Sequence, residues 1–449
     1  MKRKIIAVCF IIICIFFIQR PDVYATSDIV PNDETGIPDK VLYQEILRSL
    51  DKKENDTFTK QEADSLECLN PQKRIQSFQG IGVLSGLRTL DLDSKRINNS
   101  QLEVIAAELP QLERLDVRFN KITSLQTLGS MKNLTFLDVT FNSLENLNGL
   151  EELTSLESLY AEGNEIRSIP SGMDHQKLRR LVLCDNQLKN LKGIEGLKNI
   201  EDLNVSKNQL TNLKDIKGLR NLKELNVSEN QLKNLKGIEN LKELVDLRVE
   251  NNLLTNIKGI RNLKKTLSDL SLDDNRLKNV DEIKYLKKLQ YLYISCNQIK
   301  KLPNLKSMKY LISVELYGNF LTEQEIRSKL PERCFAIDEK WIRREFLLQR
   351  QNFKVSFVKP AKSSKITKNT KKITGKIPNE HYKKLKVFLR LPGEKSSMCV
   401  KPDKNGKFVF KKLNLKPYAG KEAKLDVYYY DGLTDRGERV NQIIFKVEK

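Results

Sequence analysis

Only two histidines occur in this 449-residue chain, His175 in a loop and His381 beside an expected strand. His175 has only the loop serines Ser168 and Ser171 near it and no cysteine within eight residues, and His381 has neither nearby, so histidine-assisted nucleophilic catalysis has no recognisable motif to start from. Seven cysteines are present, but none forms the Cys-x-x-Cys spacing of a zinc site. Five of them lie beyond the first apolar run: Cys68, Cys184, Cys296, Cys334 and Cys399. An odd, scattered set is not a disulfide framework. Cys184 and Cys296 sit five repeat lengths apart, about 24 Å at strand spacing, too far for a bridge. Cys334, in ERCFAID, is the sole candidate nucleophile, and it has no histidine near it. No phosphate-cradling glycine loop is visible, and no segment after residue 18 is apolar enough to span a membrane. These absences argue against an enzyme, a bound metal and a cofactor.

What the chain has instead is a period. LKELNVSENQLKNLKGIENLKEL, residues 222–244, places Leu222, Leu225, Val227, Leu232, Leu235, Ile238 and Leu241 around a central Asn230, and Leu244 restarts the pattern 22 residues on. Neither a helical nor an alternating period runs through it. Leu225-x-Val227 fits a strand of about three residues, and the later three-residue steps fit a 3₁₀-like return path. One such coil cannot bury its apolar face alone, so it needs stacked neighbours. The asparagine recurs at Asn120, Asn142, Asn164, Asn186, Asn208, Asn230, Asn252, Asn275, Asn297 and Asn319, with Lys95 standing in at the first place. Its expected role is structural, because an amide can satisfy buried turn peptides and its stacked neighbours.

The flanks differ. Residues 1–25 read as a secretory signal: Lys2-Arg3-Lys4, an apolar run from Ile5 to Ile18, and Val23-Tyr24-Ala25 as cleavage site. Residues 26–64 read as a helical N-terminal cap, with Val41, Leu42, Ile46 and Leu50 on one face and Thr59-x-x-Glu62 as a capping box. The repeats occupy 65–330 and include one helix, SQLEVIAAELP, with Ser100 as its expected N-cap. TEQEIRSKLP, with Thr322 and Glu325 as a second capping box, closes the array. Residues 331–350 form a junction, and 351–449 are patterned as short strands of a sandwich. The charge is uneven: residues 341–449 carry +18 of the chain's +21, while 26–340 are balanced.

In a stacked sheet, the residues beside each inward leucine face outward on the concave side. The expected ligand-binding set is Arg114, Asp116, Arg118, Phe136, Asp138, Tyr160, Glu162, Tyr291, Tyr293 and Tyr317. Exposed aromatics flanked by charges are what protein-binding hot spots use. The tyrosines near the C-terminal junction have a second expectation, packing against the adjoining domain.

The 22-residue LxxLxLxxNxLxxLxxIxxL coils, the cap-like TFTKQEADSL and a β-tail carrying ITGKI, KNGKFVF and VYYYDGLTDRG together resemble the internalins, secreted leucine-rich-repeat proteins of Gram-positive bacteria. The resemblance implies an α/β leucine-rich-repeat solenoid with a helical cap, followed by an all-β immunoglobulin-like domain. It also implies a secreted protein that binds a host-cell protein on its concave face, in adhesion or virulence, without catalysis. Sortase-anchored internalins end in LPxTG and an apolar stretch, whereas this sequence ends NQIIFKVEK, so the expected location is outside the cell, loosely surface-associated at most. The basic tail is expected to favour an anionic cell-wall polymer or glycosaminoglycan. Nucleic acid is not an expected partner. The rival reading is an intracellular scaffold resembling the leucine-rich regulatory subunit of protein phosphatase 1.

Overall fold

The structure is a computed structural model, and it describes residues 28–321, 323–334, 356–357, 366–376, 385–394, 397–429 and 438–448. The expected signal segment, Thr322, His381 and most of the 331–350 junction lie outside these residues.

Helix α1 (Lys40–Ser49) starts where the Asp39 carboxylate accepts the Val41 and Leu42 N–H groups, each at 2.9 Å. Helix α2 (Lys60–Asp64) opens on the Thr59–Glu62 capping box that the Thr-x-x-Glu spacing predicts. Leu42, Ile46 and Leu47 of α1 and Ala63 of α2 join one core with the leucines of the repeats. Helix α3 (Asn99–Glu108) corrects the sequence reading: its N-cap is Asn98, not Ser100. The Asn98 side chain accepts the Gln101 N–H while Gln101 returns the bond to the Asn98 N–H. This reciprocal pairing satisfies two orphan donors at once.

Twelve strands follow one another in a single parallel sheet, in sequence order. They are β1 (Cys68–Leu69), β2 (Thr89–Asp91), β3 (Arg114–Asp116), β4 (Phe136–Asp138), β5 (Ser158–Tyr160), β6 (Arg180–Val182), β7 (Asp202–Asn204), β8 (Glu224–Asn226), β9 (Asp246–Arg248), β10 (Asp269–Ser271), β11 (Tyr291–Tyr293) and β12 (Ser313–Glu315). Register keeps like positions opposed: Leu115 pairs with Leu137, Leu137 with Leu159, and so on to Leu292 with Val314. These central residues are all buried. Eleven inter-strand steps make a ribbon about 53 Å long at ordinary strand spacing. Return paths contain 3₁₀ turns, for example Ile194–Gly196 and Ile260–Leu263, as the three-residue steps predict. Helix α4 (Glu323–Lys329) follows the last coil.

Where the chain turns off each strand, the residue before the ladder asparagine is left-handed, with φ between 51° and 69° from Phe119 to Gly318. The asparagine then ties two coils together. Asn230 donates to Val205 O (3.0 Å), Val227 O (3.1 Å) and Ser228 O (3.1 Å), and accepts the Leu210 N–H (2.8 Å). Nine of the ten coils repeat this pattern of three donated bonds and one accepted. The last, Asn319, donates to Ile294 O and Leu316 O and accepts the Ile299 N–H. The expectation that the amides satisfy each other is therefore corrected: each amide spends its bonds on backbone groups of its own and the preceding coil.

Beyond the array, β13 (Ser356–Phe357), β14 (Ile373–Lys376) and β17 (Lys407–Phe410) form one antiparallel sheet. A second holds β16 (Met398–Val400), β15 (Leu385–Arg390), β18 (Glu422–Tyr429) and β19 (Glu438–Lys446). Ile373, Phe408 and Phe410 from the first meet Val387, Leu389, Leu425 and Val427 from the second in a separate core. The two sheets thus pack face to face. This unit touches the repeats at their turn edge: Arg276 Nη2 lies 3.0 Å from Glu422 Oε2, and Tyr317 packs on the second core. Strand side chains such as Arg114, Glu224 and Arg248 stay exposed.

Candidate functional site

Three-residue strands turn one inward leucine and two outward side chains to opposite faces, so the outward positions of successive coils form rows. One row is continuous across five strands. The Arg114 guanidinium sits 3.7 Å from the centre of the Phe136 ring. Phe136 and Tyr160 are tilted at 42° with ring centres 5.4 Å apart. Arg180 then donates to the Tyr160 hydroxyl at 3.2 Å and pairs with Asp202 at 2.8 Å. The Tyr160 hydroxyl, followed by Asp202, holds the Arg180 guanidinium above its ordinary value. Phe136 and Tyr160 remain part-exposed, rigidly flanked by cations.

Beside this row lies a carboxylate cluster. Asp116 accepts the Arg118 N–H at 3.1 Å, and Arg118 Nε lies 3.4 Å from Asp116 and 3.3 Å from Asp93. Burial pushes the Asp116 carboxyl up to about 6, with Asp138 and Asp91 on flanking strands adding to it against the opposing pull of the Arg118 N–H. Asp138 is only 8% exposed and accepts the Thr140 N–H at 2.9 Å. Its side chain closes the turn two residues on, as Asp116 does for Arg118 and as Asn204 and Asn226 do for Ser206 and Ser228. Glu162 stays part-exposed near Cys184, whose thiol burial pushes up to about 12, with Glu162 adding to it.

Farther along, Tyr293 lines a depression of about 300 Å³ with Asp246, Arg248, Glu250, Asp269, Ser271 and Asp273. Arg248 is clamped to Asp246 at 2.8 Å, so the depression is lined chiefly by carboxylates. Burial, then Glu315 and Asp269, raises the Tyr293 hydroxyl. Tyr291 is part-exposed on the same strand. Tyr317 takes the second of its two expectations and packs on the C-terminal core.

The expected set therefore separates into an N-terminal aromatic row, an acidic centre and a domain contact. Arg180 holds an outward place by the same coil spacing but stands outside the expected ligand set, and sequence reasoning missed Phe119 and Phe141 on the turn edge, whose rings stack at 4.7 Å. The signal for the latter pair was present as RFN and TFN, 22 residues apart. His175 is fully buried with Nε2 2.8 Å from Leu150 O, and burial lowers its pKa. Among the described residues no cluster of three His, Cys, Asp or Glu is arranged to hold a metal, and no helix is long and apolar enough to cross a membrane.

A stacked parallel ribbon with an asparagine at ten successive turns defines a leucine-rich-repeat protein. A family model of leucine-rich repeats in two copies matches residues 110–152 and 265–307. The fold is similar to that of an internalin of Listeria monocytogenes, InlF, at 25% identity and a TM-score of 0.62, covering 68% of this chain and 89% of that one. A leucine-rich-repeat protein of Leptospira interrogans aligns at 26% identity and TM-score 0.43, over 62% and 88% of the two chains. Another Listeria monocytogenes protein, InlJ, aligns at 17% and 0.49, over 92% and 97%. No curated protein matches.

Proposed function

We propose that this chain is an exported, internalin-like adhesion protein whose concave face grips a protein ligand, a receptor on a host cell. The observation that carries the reading is the row Arg114–Phe136–Tyr160–Arg180, where neighbouring side chains hold two part-exposed rings in place. Rings fixed before contact bury much area at little entropic cost. The likeness to InlF supports the same reading. In it, the two C-terminal sheets form a bacterial immunoglobulin-like domain of a Gram-positive organism. The +18 charge of residues 341–449 holds that domain loosely to anionic wall polymers or glycosaminoglycans. No catalytic step is assigned to any residue.

The test is host-cell binding of labelled protein by flow cytometry, comparing wild type with Phe136→Ala combined with Tyr160→Ala. Loss of two central aromatics is expected to weaken binding about 30-fold or more, the pair together contributing at hot-spot magnitude. Equal binding would remove the row from the account. For the tail, release from bacterial cells is expected to rise steeply with salt, and salt-independent release would dismiss the electrostatic hold.

A further inference from the structure

Phe119 and Phe141 are 51% and 41% exposed, among the most exposed large apolar side chains of the described residues. They occupy the left-handed position before Asn120 and Asn142, at φ 53° and 51°. Later coils fill that place with Asp185, Lys207, Glu229 and Asn251. A bulky aromatic there is unfavourable on its own account, and two in register are not needed by the turn. Their backbones are fixed by inter-coil bonds, Phe119 N–H to Thr140 O at 2.9 Å and Phe141 N–H to Glu162 O at 2.8 Å. Gly163 follows in the next coil, and a Cβ there would collide with the Phe141 ring, so the ring packs against that glycine. Arg96 and Lys121 stand one place after the ladder position on adjacent coils, both exposed and without an ion pair among the described residues. Farther along this same edge, the chain's own β-sheet unit packs beside Arg276 and Tyr317.

We infer that the turn edge beside β3 to β5, built on the stacked Phe119–Phe141 pair, docks a protein segment carrying an aliphatic or aromatic side chain flanked by carboxylates. The ring pair supplies an apolar platform already ordered before contact. Arg96 and Lys121 supply the charge that selects an acidic over a basic partner. The inference rests on the protein-binding reading above, yet uses side chains on a different surface, so the two fail separately.

The probe is a fluorescein-labelled decapeptide alternating glutamate with leucine or phenylalanine, read by anisotropy against the full chain. Two control peptides carry lysine for glutamate, or serine for the apolar residues. The acidic apolar peptide is expected to bind and both controls to bind about ten-fold more weakly or worse. Phe119→Ser with Phe141→Ser is expected to weaken binding about ten-fold or more, and Arg96→Glu with Lys121→Glu by a similar factor. All four side chains are exposed, so thermal unfolding should be unchanged. Phe136→Ala with Tyr160→Ala should leave peptide binding intact while reducing host-cell binding. Absence of peptide binding, equal binding of the lysine peptide, or indifference to the phenylalanine variants would overturn the inference. A dimer in sedimentation that disappears in the Phe119/Phe141 variant would identify a second copy as occupant, and would overturn it too.

Discussion

Replacing Asn230 by alanine tests how the coils are held together. Asn230 is 7% exposed, and its amide reaches four backbone groups in two coils. Three of those groups keep a second partner when the amide is gone. Val205 O retains Asn208, Val227 O retains Asn252, and Ser228 O retains the Lys207 N–H. The Leu210 N–H has no such reserve, since Asn230 Oδ1 is its acceptor. One orphaned buried donor costs about 1–3 kcal/mol, and three weakened acceptors add a few tenths each, so the substitution should cost about 2–4 kcal/mol. Asn230→Asp is the sharper probe. It keeps an oxygen for the Leu210 N–H, but aims a second oxygen, charged at neutral pH, at three carbonyls. The aspartate variant should therefore be at least as unstable as the alanine, and should recover part of the loss when the carboxyl is protonated. Urea unfolding followed by circular dichroism measures both, with hydrogen exchange at Leu210 as the local readout, since a repeat array can open in parts. An alanine variant within about 0.5 kcal/mol of wild type, or an aspartate variant matching it, would refute the bonding scheme.

Other outcomes follow from the same geometry. The folded chain holds the Asp116 proton up to about 6, whereas the unfolded chain releases it near the usual 3.8. The native state thus binds more protons between these values, and stability should decline as pH rises through that window by up to about 3 kcal/mol. Asp116→Asn should flatten that part of the pH profile of urea midpoints, and an unchanged slope would contradict it. Cys68 is exposed, whereas burial holds the Cys184 thiol at about 12 and raises that of Cys334. Iodoacetamide at pH 8 should modify Cys68 first and leave Cys184 and Cys334 intact in the native protein, as peptide mass mapping would show. The Arg276–Glu422 pair is part-exposed, so Arg276→Ala should shift stability by less than about 1 kcal/mol. Tyr317→Ala removes packing between the two units and should increase the radius of gyration in small-angle scattering more than Arg276→Ala does.

The ribbon was legible because each coil states the same residues in the same order. Leu-x-Val spacing marks a strand wherever it occurs, and Asn at a fixed distance marks the turn, so ten copies reinforce one reading. The site was less legible because its contacts run between coils at unlike positions. Phe136, the first outward residue of its strand, meets Tyr160, the last outward residue of the next, and Tyr160 meets Arg180 on the strand beyond. A coil-by-coil reading of outward places shows the members but not the pairs. Asp138 and Asp116 look alike in sequence, both in Leu-Asp-Val, and both accept the N–H two residues on, yet Asp138 is 8% exposed while Asp116 also meets the Arg118 guanidinium. Arg118 stands two places after Asp116 where Thr140 follows Asp138, and Tyr160 opposes Asp138 where Asp91 opposes Asp116, differences that the period does not encode. Tyr317 went to the domain contact because its partners lie in strands far along the chain.

The most direct measurement of the central claim is site-specific photo-crosslinking on host cells. Benzoylphenylalanine placed at position 136, in the outward aromatic row, and in a second protein at exposed position 217, on the return path, reports which surface meets the proposed host-cell ligand. A covalent adduct to one host surface protein from position 136, and none from position 217, is the predicted result. Equal adducts from both positions, or none from position 136, would contradict the account.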